Sequence, residues 1–246
     1  MADVTRIGVL GAGVMGSGIA QVTATAGYQT VCADIDADAR ARAEARVVSG
    51  RYGLERAVER GKVTRAEADA AAARRTVTDT GEGLAESDLI IEAVPERLAL
   101  KVAVFRQLDA ATPPSTILAS NTSGFPIAAL AAATNRPPLV VGWHWASPAP
   151  VMRFAEIVRT RETSTDTLDT ACAVATACGK RPIVVRDTDT AWGFVANRVY
   201  GAMLVEARRV VDQGIASAED VDQLMVDCFG WPVGPFAMLR GAATGW

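Results

Sequence analysis

The stretch RIGVLGAGVMGSGIA, residues 6–20, constrains the fold more than any other part of the chain. A strand-like apolar run leads straight into Gly11, Gly13 and Gly16, and these open a helix of small residues that Gly27 stops. A second strand-like run, YQTVCAD, then ends in Asp34. In a strand–turn–helix of this kind each glycine has its own task. The first permits the tight turn, the second lets the backbone approach a pyrophosphate, and the third lets helix and strand pack closely, with the helix N-terminus facing the phosphates. A carboxylate closing the second strand accepts hydrogen bonds from an adenosine ribose and repels a 2′-phosphate. The glycines alone are a weak motif. Their position between strand and helix, with the acid following, gives them weight. In DIDADA no Arg or Lys directly follows Asp34, so the expected cofactor is NAD rather than NADP. The competing reading is a glycine turn with no ligand.

Further along, apolar runs alternate with helical patterns: TVTD, DLIIEAV, a helix over 97–110, TILAS, a short helix over 127–132, LVVGWH, RFAEIV, a helix over 165–178, and RPIVV. Near-continuous apolar strands joined by helices imply a parallel sheet covered on both faces. Residues 37–75, rich in Ala, Arg and Glu, read as an inserted helical hairpin of two helices broken at GKVTRAEAD. Thr64 and Glu67 stand at capping-box spacing at the start of the second. Past Asp187 the strands stop, and GFVANRVYGAMLVEARRVVDQG and SAEDVDQLMVDCFG read as helices, the latter opened by Ser217 and Asp220. The expected fold is α/β: a Rossmann-type doubly wound, mostly parallel sheet over 1–187, then a smaller all-helical C-terminal domain over 188–246.

Composition narrows the function classes. With 246 residues and a net charge of −3, the chain is long enough for a large core and lacks the basic excess of a nucleic-acid binder. No apolar run is long enough to cross a membrane, and the N-terminus enters a strand without a signal-peptide pattern. Cys32, Cys172, Cys178 and Cys228 form no CxxC pair and sit among apolar residues, so buried thiols in a reducing compartment are expected. These features point to a cytoplasmic protein without a metal site.

GWHWASPAPVMRFAEIV, residues 142–158, holds the only histidine, His144, and Glu156 in an otherwise apolar run. Histidine is the side chain that exchanges protons near neutral pH without a large pKa shift. A buried glutamate needs a partner, and neighbouring strands could bring it to His144. By itself, a histidine at a strand end is more often structural than catalytic.

Taken together, EAVPERLALK, SNTSGFPI, GWHWASPAPVMRFAEIV, GFVANR and WPVGPF resemble, in order and nearly in spacing, the 3-hydroxyacyl-CoA dehydrogenase family, which includes bacterial 3-hydroxybutyryl-CoA dehydrogenases. The resemblance runs from about residue 5 to the end. It implies that His144 is the catalytic histidine and Glu156 its paired glutamate, that Ser123 contacts substrate and nicotinamide, and that Asn197 lies near the thioester. It implies that Glu96 and Lys101 border the cofactor, with Val14, Met15 and Asn121 beside the glycines. It also implies that the 37–75 hairpin helps hold coenzyme A, with Arg60 and Lys62, and also Arg51 and Arg56, as candidates for its phosphates. The implied reaction is reversible, NAD-dependent oxidation of an (S)-3-hydroxyacyl thioester. The substrate is carried on CoA or an acyl carrier protein, in a homodimer if the C-terminal domain is complete. The chemistry suits the residues: a neutral imidazole removes the hydroxyl proton as hydride leaves the same carbon, and a carboxylate on the other ring nitrogen fixes the tautomer.

Simpler readings exist for each residue. Ser123 could cap the helix that follows, Asn197 could merely start a helix, and Glu96 with Lys101 could be a helix-face pair worth roughly 0.3 kcal/mol. Most of the hairpin's basic residues could form a solvated face. The chain also departs from the family pattern. Ser147 stands where the family has Asn, DTDTAWGFVANR is longer than its counterpart and lacks its proline, GPFAML replaces GPFEL, and the C-terminal domain is expected to be truncated. These departures leave room for a relative acting on a hydroxyacyl-acyl carrier protein or a hydroxy or sugar acid, or for an NAD-binding protein without turnover. A β-hydroxyacid dehydrogenase of the type that uses a lysine on the long second-domain helix is disfavoured, because FVANRVYGAMLVEARRVV contains none.

Overall fold

The computed structural model of the chain describes residues 3–79, 81–188 and 191–244. Strand β1 (Arg6–Leu10) runs through the glycine loop into helix α1 (Val14–Thr25), and β2 (Gln29–Ala33) follows after a turn in which Gly27 adopts a φ of 106°. Such a backbone is open to glycine at little cost. Helices α2 (Ala37–Val48), α3 (Leu54–Glu59) and α4 (Arg65–Ala73) form the insertion before β3 (Arg75–Thr78). Next come β4 (Leu89–Glu92), α5 (Leu98–Ala111), β5 (Ile117–Ser120), α6 (Ile127–Ala131), β6 (Val140–Trp145), β7 (Phe154–Arg159), α7 (Thr165–Ala177) and β8 (Arg181–Arg186). Helices α8 (Val195–Asp212), α9 (Ala218–Phe229) and α10 (Pro235–Thr244) complete the chain. The chain divides into two compact units, Met1–Ala191 and Trp192–Trp246.

The first unit holds one eight-stranded sheet in the order β3-β2-β1-β4-β5-β6-β7-β8. Strands β1 to β6 run parallel, β7 is antiparallel to β6, and β8 is parallel to β7. The doubly wound, mostly parallel sheet expected from the apolar runs is present. Strands β4, β5 and β6 are buried along their whole length, which is why they lack polar alternation. Strand order reverses between β1 and β4, and the crevice beyond their carboxyl ends is where sheets of this kind take ligands. Ile7, Val9, Ile19, Ile91, Val141, Trp143, Trp145, Ile157 and Leu168 share one core cluster.

The insertion differs from the expected two helices. SGRYG breaks the first stretch into α2 and α3 because the chain folds back on itself: a Cβ on Gly50 would lie 2.4 Å from the Arg46 oxygen, and one on Gly53 2.8 Å from it. The Thr64–Glu67 capping box starts α4 as its spacing implies. In the second unit, a capping box of Ser217 and Asp220 opens α9. Helix α10 begins at Pro235, where a missing N–H costs nothing. Asp222 of α9 accepts the Phe236 and Ala237 amides at 2.7 and 2.9 Å, satisfying two first-turn donors of α10.

Two of the four cysteines depart from the expectation of burial. Cys32 and Cys178 are buried, Cys172 is half-buried and Cys228 is exposed near the end of α9. An apolar neighbourhood in sequence does not bury a residue on the outward face of a helix. Among the described residues, no helix is long and apolar enough to cross a membrane.

Candidate active site

The glycines act in three different ways. Gly11 has a φ of 106° and donates its amide to the Ala33 oxygen at 2.8 Å; a Cβ there would stand 2.6 Å from the Ala93 oxygen. A Cβ on Gly16 would lie 1.7 Å from the Gly11 oxygen, so this glycine lets helix and loop close on each other. A Cβ on Gly13 would meet no protein atom within 4 Å. Packing therefore does not explain Gly13, and the open space beside it leaves room for a ligand to approach the backbone. Gly13 is the N-cap of α1 with no side-chain cap, and no acid stands in the helix's first turn. Val14 is exposed and Met15 is half-buried against the core. Asp34, just past β2, accepts the Ala12 amide at 2.7 Å and the Asp36 amide at 2.9 Å. These features fit a dinucleotide's pyrophosphate over the loop and its adenosine ribose at Asp34.

Beside this loop, a buried polar network joins the ends of β4 and β5. Lys101 of α5 is 1% exposed and donates to Glu92 at 2.7 Å and to the Val94 oxygen at 3.1 Å; its Nζ also lies 3.2 Å from Glu96. The other oxygen of Glu92, a residue with no exposed surface, accepts the Ser120 hydroxyl at 2.6 Å. Glu96 accepts the Thr122 hydroxyl at 2.6 Å and the Ser123 amide at 2.9 Å. Buried Lys101 thus reaches from α5 to an exposed Glu96 that lies before the helix, so the two are not a pair on one solvated helix face. Ser123 does not cap α6, whose N-cap is Pro126; the Thr122 hydroxyl instead accepts the Gly124 and Phe125 amides in that turn. Asn121 donates its main-chain amide to the main-chain oxygen of Glu92 at 2.8 Å, and its side-chain oxygen accepts the Trp145 amide at 3.0 Å. The network is thereby tied to the strand that carries His144.

Alternation along β6 turns Trp143 and Trp145 into the core, where their rings stack 5.0 Å apart, and places His144 on the other face. In the antiparallel β6–β7 pair, His144 and Glu156 are register partners, and Nδ1 of His144 lies 2.7 Å from Oε2 of Glu156. Both are nearly buried, and the Phe154 ring meets the imidazole edge-on at 5.2 Å. The reversal between the two strands is held by Lys180, whose Nζ donates to the Ala149 and Met152 oxygens at 2.6 and 2.8 Å and stands 5.1 Å from the Trp145 ring. Burial lowers the Lys180 pKa. Gly18 of α1 lets this turn settle on the helix, since its Cβ would be 3.2 Å from that of Ala149.

Arg51, Arg56, Arg60 and Lys62 line a cleft of about 660 Å³ whose other walls include Arg153, Pro150 and Val151 from the turn after His144. Arg56 is paired with Glu59 at 2.6 Å, and Arg51 lies over the Tyr52 ring. Asn197 stands in the first turn of α8, in the second unit. Of the lengthened segment before it, Asp189 and Thr190 lie outside the described residues.

Sequence reasoning missed Glu92, Ser120, Thr122 and Lys180. Glu92 had a signal: it is the one acid within the apolar LIIEAV run, and a carboxylate inside a buried strand must be paired. Lys180 had none, because its partners are main-chain oxygens distant in sequence.

A glycine loop at a strand-order reversal, an acid closing β2 and a histidine–carboxylate pair on the same sheet define a dinucleotide-dependent α/β oxidoreductase. The comparisons identify the family. Residues 6–188 match the family model described as 3-hydroxyacyl-CoA dehydrogenase, NAD binding domain, and residues 193–245 match the corresponding C-terminal domain. The chain is 40% identical over 236 residues to the probable 3-hydroxybutyryl-CoA dehydrogenase of Bacillus subtilis (strain 168), a match covering 96% of this chain and 80% of that one. It is 41% identical to the 3-hydroxybutyryl-CoA dehydrogenase of Mycobacterium tuberculosis (strain CDC 1551 / Oshkosh), covering 96% and 81%. The crystal structure of (S)-3-hydroxybutyryl-CoA dehydrogenase from Ralstonia eutropha superposes with a TM-score of 0.90 at 36% identity, covering 96% of this chain and 81% of that one. The chain belongs to the 3-hydroxyacyl-CoA dehydrogenase family, NAD-dependent oxidoreductases acting on CH–OH groups.

Proposed function

We propose that the protein interconverts an (S)-3-hydroxyacyl-CoA and the 3-oxoacyl-CoA, with His144 as the proton-transferring base. The observation that carries this reading is the 2.7 Å contact between His144 and Glu156 in a chain whose relatives are 3-hydroxybutyryl-CoA dehydrogenases. A carboxylate only accepts hydrogen bonds, so Glu156 keeps the proton on Nδ1 and leaves the Nε2 lone pair to take the proton of the substrate hydroxyl. When bound, the nicotinamide supplies the hydride acceptor, or in the other direction the donor, at the carbon bearing that oxygen. The resulting imidazolium is stabilised by Glu156, and the proton returns when the 3-oxo compound is reduced.

The glycine loop and Asp34 hold the dinucleotide, with Val14, Met15, Asn121, Glu96 and Lys101 bordering it. The Glu96 network sets the position of Ser123 beside substrate and nicotinamide. Asn197 is assigned to the thioester. Arg60 and Lys62, with Arg51, stand in one cleft with Arg153, which suits the phosphates of coenzyme A. The proposal includes the division into a dinucleotide domain over 1–187 and a helical domain over 188–246, a homodimer, and a cytoplasmic setting that suits four unbridged thiols.

The test is acetoacetyl-CoA-dependent NADH oxidation by the purified protein. His144→Ala is expected to lower kcat by about 10²-fold or more, the usual worth of a general base. Unchanged activity in that variant removes the base, and turnover of an acyl carrier protein ester without turnover of the CoA ester removes the carrier assignment.

A further inference from the structure

A cation stands beside Asp34 although none follows it directly in sequence. Arg40 lies in the second turn of α2, and the helix carries it back toward the end of β2, where its Nη1 donates to the main-chain oxygen of Asp34 at 2.7 Å. The side chain is half-buried, and among the described residues that is its one hydrogen bond and no carboxylate pairs with it. Its neighbour Arg42 is the one that reaches Asp36, at 3.7 Å, while the Asp36 side chain also caps α2 through the Asp38 and Ala39 amides. The Asp34 carboxylate is held in place by the Ala12 and Asp36 amides, one on each oxygen.

We propose that Arg40 is a latent receptor for a 2′-phosphate, so that this site excludes NADP through the charge of Asp34 rather than for want of a cation. The proposal rests on the reading that Asp34 meets the adenosine ribose. A guanidinium is charged at every working pH and offers planar paired donors that match phosphate oxygens. With Nη1 on the Asp34 carbonyl, the remaining N–H groups of Arg40 are uncommitted next to the carboxylate that a 2′-phosphate would have to displace. A carboxylate fixed at the ribose opposes that phosphate by like-charge juxtaposition, which is how a binding site rejects the wrong partner. Replacing the acid by its amide removes the repulsion and leaves the cation. Asp36 and Asp38 also stand nearby, but they are present in every variant compared below and cancel.

Fluorescence titration of NADH and NADPH into the wild type, Arg40→Ala, Asp34→Asn and the double variant tests this without reference to turnover. Asn keeps a side-chain oxygen for the Ala12 amide, and Ala at position 40 favours a helix, so all four proteins are expected to fold; thermal melts check it. Asp34→Asn should weaken NADH and tighten NADPH by about tenfold or more each, the scale of one charge-assisted hydrogen bond. Adding Arg40→Ala should erase the NADPH gain while leaving NADH within about twofold of the single variant. Arg40→Ala alone should weaken NADPH severalfold and leave NADH unchanged. A double variant that binds NADPH as tightly as Asp34→Asn overturns the role of Arg40. If Asp34→Asn alters neither affinity, the ribose reading of Asp34 is wrong, and the proposal falls with it.

Discussion

His144 and Glu156 are directly opposite each other across the antiparallel pair β6–β7, with Nδ1 and Oε2 2.7 Å apart. Nearly buried as it is, the carboxylate acts on the ring chiefly by choosing its tautomer. Glu156→Gln preserves shape but lets an amide donate where only acceptance was possible. We expect kcat/KM to fall by about 10²–10⁴-fold, as when the acid behind a catalytic histidine is amidated, with NADH affinity within about twofold of wild type. Steady-state kinetics beside a cofactor titration reads both, and near-wild-type kcat/KM in the variant would remove Glu156 from the mechanism.

The three glycines of the loop separate folding from binding. Gly16→Ala drives a Cβ to 1.7 Å from a backbone oxygen, which no rotamer can relieve, so the protein should lose much of its thermal stability or fail to accumulate. Gly13→Ala meets no protein atom within 4 Å and should melt like the wild type while binding NADH about tenfold or more weakly, because the methyl group occupies the ligand's approach. Melts and titrations of the two variants check the contrast. A Gly13→Ala protein with unchanged NADH affinity would falsify the role given to the loop.

Lys101 and Glu92 are buried together, so their charges are secure only as a set. Removing the lysine strands a carboxylate that has no exposed surface, and Lys101→Met should cost about 3–5 kcal/mol. Glu92→Gln/Lys101→Met takes out both charges and should recover a large part of that loss. Urea unfolding of the two variants gives the comparison. Equal destabilisation in both would mean that the lysine acts by packing rather than by charge.

What was legible in the sequence was local. The capping boxes at Thr64 and Ser217 act three residues away, and the glycine loop and the acid after β2 belong to one continuous strand–turn–helix–strand unit, although Asp34 meets Ala12 and Gly11 meets Ala33 only once that unit folds. His144 and Glu156 were legible as candidates because they sit on consecutive strands, although the clasp of Lys180 on the turn between them was not. Glu92 finds Ser120 across 28 residues, and Arg40 returns to Asp34 by way of a helical turn, so neither pairing is visible in spacing. The break at SGRYG was missed because the helical pattern on both sides of the glycines reads as continuous.

Burial divides the thiols, and chemistry can read the division. Burial pushes both Cys32 and Cys178 up to about 12, so at pH 8 almost no thiolate forms at either. Half-buried Cys172 is raised for the same reason, with the charge of Asp169 adding to it. Cys228 is exposed. An aromatic disulfide reagent should therefore titrate one fast thiol per native chain, and Cys228→Ser should abolish that phase. Two or more fast thiols surviving in that variant would contradict the burial.

The pair Asp109–Arg136 makes stability depend on pH in a direction that can be worked out. Arg136 donates to Asp109 at 2.7 Å and to the main-chain oxygens of Asp109 and Thr112, tying the end of α5 to the segment before β6. Burial acts to raise the Asp109 carboxyl, but it is outweighed by the Asn135 amide, the Arg136 and Asn135 side chains and the charge of Arg136, so the net shift is downward. A carboxyl lowered on folding contributes stability that is fully present above its unfolded value, about 3.9, and is lost as pH falls through the lower folded value. Asp109→Asn cannot be protonated in this range and removes that dependence. At pH 7 the variant should be less stable by about 1–3 kcal/mol, the scale of a hydrogen bond to a charged group. As pH falls below about 4, the wild type should lose its advantage and the two unfolding midpoints should converge. Urea midpoints measured from pH 7 down to pH 3 test the sign, and a gap that stays constant over that range would mean the carboxylate contributes through shape and not through charge.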